Sequence, residues 1–170
     1  DTSVSRGLGD VYKRQDWTGM AILALIGFFN IIGTLVMGYL GDKYSKKILL
    51  CGLYFLRGIT LILFIFLPAS NLSAVLFGTS FGLLWLATVP ATNGIVAQIF
   101  GTKNLTLLFG IVFLNHQFGS FLGAYLGGYF YDQFGSFDYA WYLAIILSFI
   151  ATALHLPIDE RPIAAVDKTI

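Results

Sequence analysis

The sequence predicts an all-α fold, a polytopic membrane helix bundle of about five transmembrane helices. Three observations predict it. Hydrophobic residues make up 57% of the 170 positions and charged residues 11%, whereas a soluble domain carries about 25% charged residues. Mean hydropathy is +0.79. The scarce charges are clustered, and the apolar runs between them reach the length of about 20 residues that a helix needs to cross the hydrocarbon core. A β reading fails on pattern. The runs do not alternate like barrel strands, and an open sheet in lipid would leave backbone groups unpaired.

The segment 1–15 (DTSVSRGLGDVYKRQ) is polar, without a helical apolar period, and too short and polar for a signal peptide. It is read as a non-native leader. The expected bundle occupies 16–157. Its first span runs from Thr18 to Leu40, followed by a polar loop from Gly41 to Lys47. The second runs from Ile48 to Leu67 and ends at Pro68. The third, Leu72 to Phe100, contains Pro90. Proline cannot donate to the carbonyl of Leu86, so a kink or a free acceptor is expected there. The fourth runs from Leu105 to Tyr131, with Gly135 as the turn residue of the next loop, and the fifth from Tyr139 to Leu156, ended by Pro157. The tail, 158–170, is polar enough to lie in water.

Loop charge gives the orientation. Lys43, Lys46 and Lys47 lie in loop one, Lys103 in loop three, and Arg161 and Lys168 in the tail. Loops two and four carry no Lys or Arg, and loop four carries Asp132 and Asp138. With five spans the three basic segments share a side, which the positive-inside rule makes cytoplasmic. Only Arg6, Lys13 and Arg14 of the leader disagree. The expected location is the cell membrane, multi-pass, with a cytoplasmic C-terminus. The single cysteine, Cys51, closes disulfide and CxxC readings.

The segment from Gly38 to Lys47 reads G-Y-L-G-D-K-Y-S-K-K. It resembles the signature loop of the major facilitator superfamily, G-x-x-x-D-[RK]-x-G-[RK]-[RK]. Gly38, Asp42, Lys43, Lys46 and Lys47 fall on the pattern, and Ser45 stands where the family usually has glycine. The fourth span and the loop after it, from His116 to Ser136, resemble helix eleven of bacterial carriers near the monocarboxylate branch. The third span lacks the arginine usual in the fourth helix of the N-terminal half. The resemblance therefore implies helices eight to twelve of a C-terminal half, with helices one to seven absent. It further implies a secondary carrier for a small organic solute, working by alternating access. The implied partners are the lipid bilayer, the N-terminal half of the same carrier, and the solute, with a proton if transport is coupled. In the signature loop, Asp42 is expected to meet a helix N-terminus or a basic partner.

Polar residues at depth are costly in lipid unless they face protein or water. His116 and Gln117, next to Asn115, are candidates for solute or proton contact, and interhelical hydrogen bonds are the competing role. Histidine has the pKa class for a switch near neutrality. By resemblance helix ten lines the cavity. Trp85, Thr88 and Thr92 share one of its faces, Asn93 follows them, and Asn30 lies mid-way along helix eight. Arg57 is an intramembrane charge costing about 2.5–3.5 kcal/mol on insertion scales, and a structural role with an unassigned partner is favoured over anion binding. Gly119, Gly123 and Gly127 repeat every four residues on helix eleven, a pattern that admits close helix approach. They are expected to face the other half, with Gly33 and Gly38 on helix eight serving a second seam, and packing within this half is the competing role.

No span contains Asp or Glu, and no metal cluster, nucleophile–base pair or phosphate loop is present, so no cofactor, nucleic-acid partner or enzymatic activity is expected. The rival readings are a sugar or drug carrier, a membrane-embedded enzyme and a non-transporting sensor on the same fold.

Overall fold

The computed structural model describes residues 2–68 and 70–163, with side chains from Gly19 onward. Six helices follow in order: α1 (Thr2–Lys43), α2 (Lys46–Phe66), α3 (Asn71–Trp85), α4 (Thr88–Phe100), α5 (Leu105–Phe134) and α6 (Asp138–His155). They supply five membrane-length segments, because α3 and α4 form a single span, Asn71–Phe100, with a break at Leu86 and Ala87. The membrane-length part of α1 is Gly19–Lys43. Helical backbone thus begins ahead of Thr18, in the segment set aside as a leader, whose side chains lie outside the described residues. Of the tail, 164–170 also lies outside them, Lys168 included.

Local chemistry explains the helix ends. Ser70 caps α3 in a reciprocal capping box with Ser73. Gly135 closes α5 in the left-handed conformation, φ 67°, and its N–H reaches Tyr131 O at 2.8 Å, the turn that the sequence places there. The loop between α1 and α2 is shorter than expected. Gly41, Asp42 and Lys43 complete the last turn of α1, leaving only Tyr44 and Ser45 non-helical.

In packing, α1 lies against α3 and α4, while α2 lies against α6, α3 and α4. The buried core, Met37, Leu50, Leu53, Ala87, Ala91 and Ile95, joins α1, α2, α4 and the α3–α4 turn. The α1–α3 seam is backbone-close. A Cβ added to Gly33 would fall 2.1 Å from Leu83 O, and one added to Gly82 would fall 2.7 Å from Ile26 O. Gly33 thus packs closely against α3 within this bundle. Gly38 meets nothing within 4 Å among the described residues. The α2–α6 contact sets the Phe149 ring against Gly58, 3.0 Å from where a Cβ would stand. By contrast α5 has no buried residue, and among the described residues its main contacts are with α4 and α6. Around an added Cβ at Gly119, Gly123 or Gly127 there is open space to 4 Å among the described residues. Large apolar side chains such as Leu23, Phe66, Leu107 and Leu154 are exposed, as suits a lipid solvent.

Candidate functional site

The broken span organises the site. Pro90 has no N–H to offer Leu86 O, and Val89 N–H takes that acceptor instead at 3.0 Å. This tightens the chain into an i→i+3 turn, with Leu86 and Ala87 still right-handed. Val89 N–H is thereby drawn away from Trp85 O. Two distant side chains repair the ladder. Arg57, midway along α2, donates from Nη2 to Leu84 O at 2.8 Å and to Trp85 O at 3.0 Å. From α1, Asn30 Oδ1 accepts from Leu86 N–H at 3.1 Å. The Thr88 hydroxyl adds a donor to Trp85 O at 3.2 Å. Arg57 thus has a structural partner, the opened turn of the third span. Its guanidinium also lies 5.1 Å from the Tyr54 ring centroid, a cation–π distance.

Beside the break lies a cavity of about 700 Å³. Its polar wall is Arg57, Tyr54, Thr88, His116 and Ser148, and its apolar wall includes Trp85 and Trp141. That volume suits a small organic molecule. Non-helical backbone at membrane depth is tolerated where protein or a cavity receives it, and broken helices often border transport sites. Of the residues singled out in the sequence, Trp85, Thr88 and His116 converge here together with Arg57. The others do not line this cavity. Asn30 is committed to the break, and Asn115 donates back to Ile111 O of its own helix at 2.9 Å. Gln117 is exposed on α5, while Thr92 and Asn93 lie further along α4. Asn93 Oδ1 is buried without a partner among the described residues. Ser148 and Trp141 on α6 were missed. Only the pairing of α2 with α6 reveals them, and no local pattern encodes that pairing.

At the bundle end that carries the α1–α2 loop, the signature residues sit differently from expectation. Asp42 is exposed on the last turn of α1 and makes no hydrogen bond or ion pair among the described residues. The acid that meets the N-terminus of α2 is Glu160, from the segment after α6. Its Oε1 accepts from Lys47 N–H at 3.0 Å, and its Oε2 accepts from the Ser45 hydroxyl. Ser45 also caps α2 by accepting from Ile48 N–H at 3.3 Å. Serine at the family's glycine position therefore links the cap to the tail. Lys46 Nζ donates to Gln98 Oε1 at 3.0 Å, and Gln98 Nε2 donates to Glu160 O at 3.1 Å. The Lys46 stem lies along Gly94, within 2.9 Å of an added Cβ. Lys43 Nζ bonds the Tyr39 hydroxyl one turn back. Ile163 N–H reaches Ile99 O at 2.9 Å, completing the docking of the tail.

Burial alone would raise the Glu160 pKa. The Ser45 hydroxyl, the backbone N–H groups of Lys47 and Lys46, and the Lys46 charge together outweigh it, and the carboxyl sits below its ordinary value. For a depressed carboxylate the stabilising contribution is complete above the unfolded pKa. It is lost as pH falls through the lower folded pKa. The Lys47 amide shift, followed by NMR against pH, is expected to titrate with a midpoint below the usual glutamate range. In Glu160→Gln that titration should vanish with little change in stability, because solvent screens the group. An unaltered Lys47 titration in the variant would place the responsible proton elsewhere.

Comparison with known proteins follows the same lines. The Major Facilitator Superfamily profile matches residues 15–169. An uncharacterised MFS-type transporter of Bacillus subtilis is 31% identical over 134 residues, covering 76% of this chain and 32% of that protein. Monocarboxylate transporter 12 of Xenopus laevis is 26% identical and monocarboxylate transporter 13 of Rattus norvegicus 27%, each over 72% of this chain, covering 27% and 29% of those proteins. The chain thus spans about a third of the length of the curated relatives it matches. No solved structure gives a significant match. With a helical bundle of five membrane-length spans and a family match over most of its length, this chain belongs to the Major Facilitator Superfamily.

Proposed function

We propose that the chain is part of a secondary carrier that moves a small organic solute, a monocarboxylate-like anion, across the cell membrane by alternating access. The observation that carries this reading is the cavity at the broken span, where a cation, a histidine, hydroxyls and aromatic rings converge at membrane depth. Membership of a transporter family supports carriage over catalysis or sensing. The five spans are assigned as helices eight to twelve, with the basic loops and the tail in the cytoplasm. In this reading, an N-terminal half completes the solute path, and the open glycine face of α5 is the surface it meets. The leader 1–15 is assigned as foreign to the carrier. His116 is the candidate proton group, since histidine changes charge between about pH 5 and 8. Arg57 stays protonated throughout and cannot be the switch.

The test is uptake into proteoliposomes. This chain alone should show no saturable flux. The full-length carrier, obtained from the sequence upstream, should take up a small monocarboxylate in preference to a sugar or a cationic drug. His116→Gln should flatten its uptake between pH 5 and 8. Saturable flux by this chain alone, or a full-length protein that moves sugars or drugs and ignores carboxylates, would overturn the assignment.

A further inference from the structure

Arg57 brings a full positive charge to the wall of the cavity, and among the described residues nothing facing it there is negative. The cavity is bounded by Ile26 of α1, Leu61 of α2, Phe77 and Phe81 of α3, His116 of α5, and Trp141 and Ala144 of α6, among others, with no Asp or Glu in its wall. Among the described residues the one ion pair is Arg161–Asp159, in the tail beyond α6. The two carbonyls that Arg57 holds are neutral dipoles, and both are bonded to Nη2. Nε is buried and has no hydrogen-bond partner among the described residues. A guanidinium offers five donors, and an uncompensated charge at low dielectric favours an incoming anion. The rest of the wall is apolar and aromatic, so it suits the body of an organic molecule better than an inorganic ion.

We propose that Arg57 is the anion-holding residue of this cavity, and that its ligand is an organic carboxylate with an apolar body about the size of one aromatic ring. This rests on reading the cavity as the solute site. It adds that one bundle holds the charged end of the solute by itself, on the helix that also braces the broken span. Carboxylate on the guanidinium, apolar body against Trp85 and Trp141, and the Thr88 hydroxyl nearby make up the bound arrangement. Because Arg57 also supports the α3–α4 turn, an anion on its free donors bears on the same side chain that holds the span in its broken form.

The test uses the full 170-residue chain in lipid nanodiscs, with Trp17→Phe so that both remaining tryptophans line the cavity. Benzoate is titrated while tryptophan emission is read, and benzamide serves as its neutral isostere. The expected result is a saturable change with benzoate and binding at least ~10-fold weaker with benzamide, as expected for a charge-assisted contact. Arg57→Gln should weaken benzoate ~10-fold or more and leave benzamide unchanged. Arg57→Lys should keep most of the preference for the anion. A role confined to bracing the turn would not move this charge selectivity. Equal binding of the two probes, no saturable change with either, or unaltered benzoate affinity in Arg57→Gln would each overturn the proposal. If Arg57→Gln loses its helical circular dichroism, the benzoate–benzamide comparison in the parent chain decides alone. Binding here with no flux in the full-length carrier would defeat the carrier reading and leave the site standing.

Discussion

Gly33→Leu is expected to separate α1 from α3 and to destabilise this chain by about 3 kcal/mol or more, the upper range for overpacking. The atom in the way is backbone. A Cβ at Gly33 would stand 2.1 Å from Leu83 O, with Leu83 C and Cα at 2.8 and 2.9 Å. No rotamer change can move a carbonyl inside a helix, so the helices themselves must part. Across the same seam Gly82 is close to Ile26 O, and Gly78 stands one turn earlier against Ile22. Parting the helices therefore costs dispersion contacts along the whole line. In a bilayer that loss is serious, because small-residue packing rather than hydrophobicity holds helices together. Gly123→Leu is the control. Its Cβ position is open among the described residues, and the expected change in this chain is within about 0.5 kcal/mol. Unfolding by SDS titration from mixed micelles measures both. Gly33→Leu unfolding at the parent SDS fraction would show that the seam is looser than its backbone distances state. If an N-terminal half meets the glycine face of α5 as proposed, Gly123→Leu is expected to impair assembly of the full-length carrier.

Those two glycines show where the sequence was legible and where it stopped. Spans are encoded by composition, since about 20 apolar residues must be helical in lipid whatever they pack against. The break in the third span is equally local, because Pro90 removes a donor whether or not a neighbour compensates. The identity of the compensating neighbours is not local. Arg57 lies 27 positions from Leu84, and Asn30 lies 56 from Leu86. The spacing of glycines on α5 looked like a packing face, yet Gly33, which has no such repeat, makes the tighter contact. A glycine pattern says that approach is permitted, and only the partner helix decides whether it happens. Glu160 is the same case at the bundle end. It is 113 positions from the Lys47 amide it binds, and the polar tail around it gave no reason to expect docking. The serine at the family's glycine position was the one available clue. Asp42, by contrast, was placed by motif, and the last turn of α1 carries it away from the N-terminus of α2.

Asn30→Leu is expected to destabilise the parent chain by about 1–3 kcal/mol, the cost of leaving a backbone donor unsatisfied where lipid replaces water, and to cost much less when Pro90 is also replaced by alanine. The reasoning is a balance of backbone groups. In the parent, Val89 N–H is spent on Leu86 O, and Leu86 N–H relies on Asn30 Oδ1. With no water in the hydrocarbon core, an N–H that loses Asn30 has few substitutes. An alanine at position 90 restores the N–H that Leu86 O lacks. Val89 N–H can then return to Trp85 O, and the span can run as a continuous helix in which Leu86 N–H bonds Gly82 O. Asn30 would become dispensable to the backbone, and the Thr34 hydroxyl bond to Asn30 O would be unaffected, because it uses the main chain. The double-mutant cycle therefore has a definite sign: the two substitutions together should be more stable than the sum of the single effects, by about 1 kcal/mol or more for groups sharing one network. Pro90→Ala alone should also raise backbone protection from hydrogen exchange around Trp85 and Val89, since the i→i+4 ladder closes there. SDS unfolding of the four chains gives the coupling energy, and exchange by mass spectrometry reports the ladder. Strict additivity, with Asn30→Leu equally costly on both backgrounds, would mean that Asn30 supports the bundle by packing and that the turn at Leu86 is held by something other than its amide.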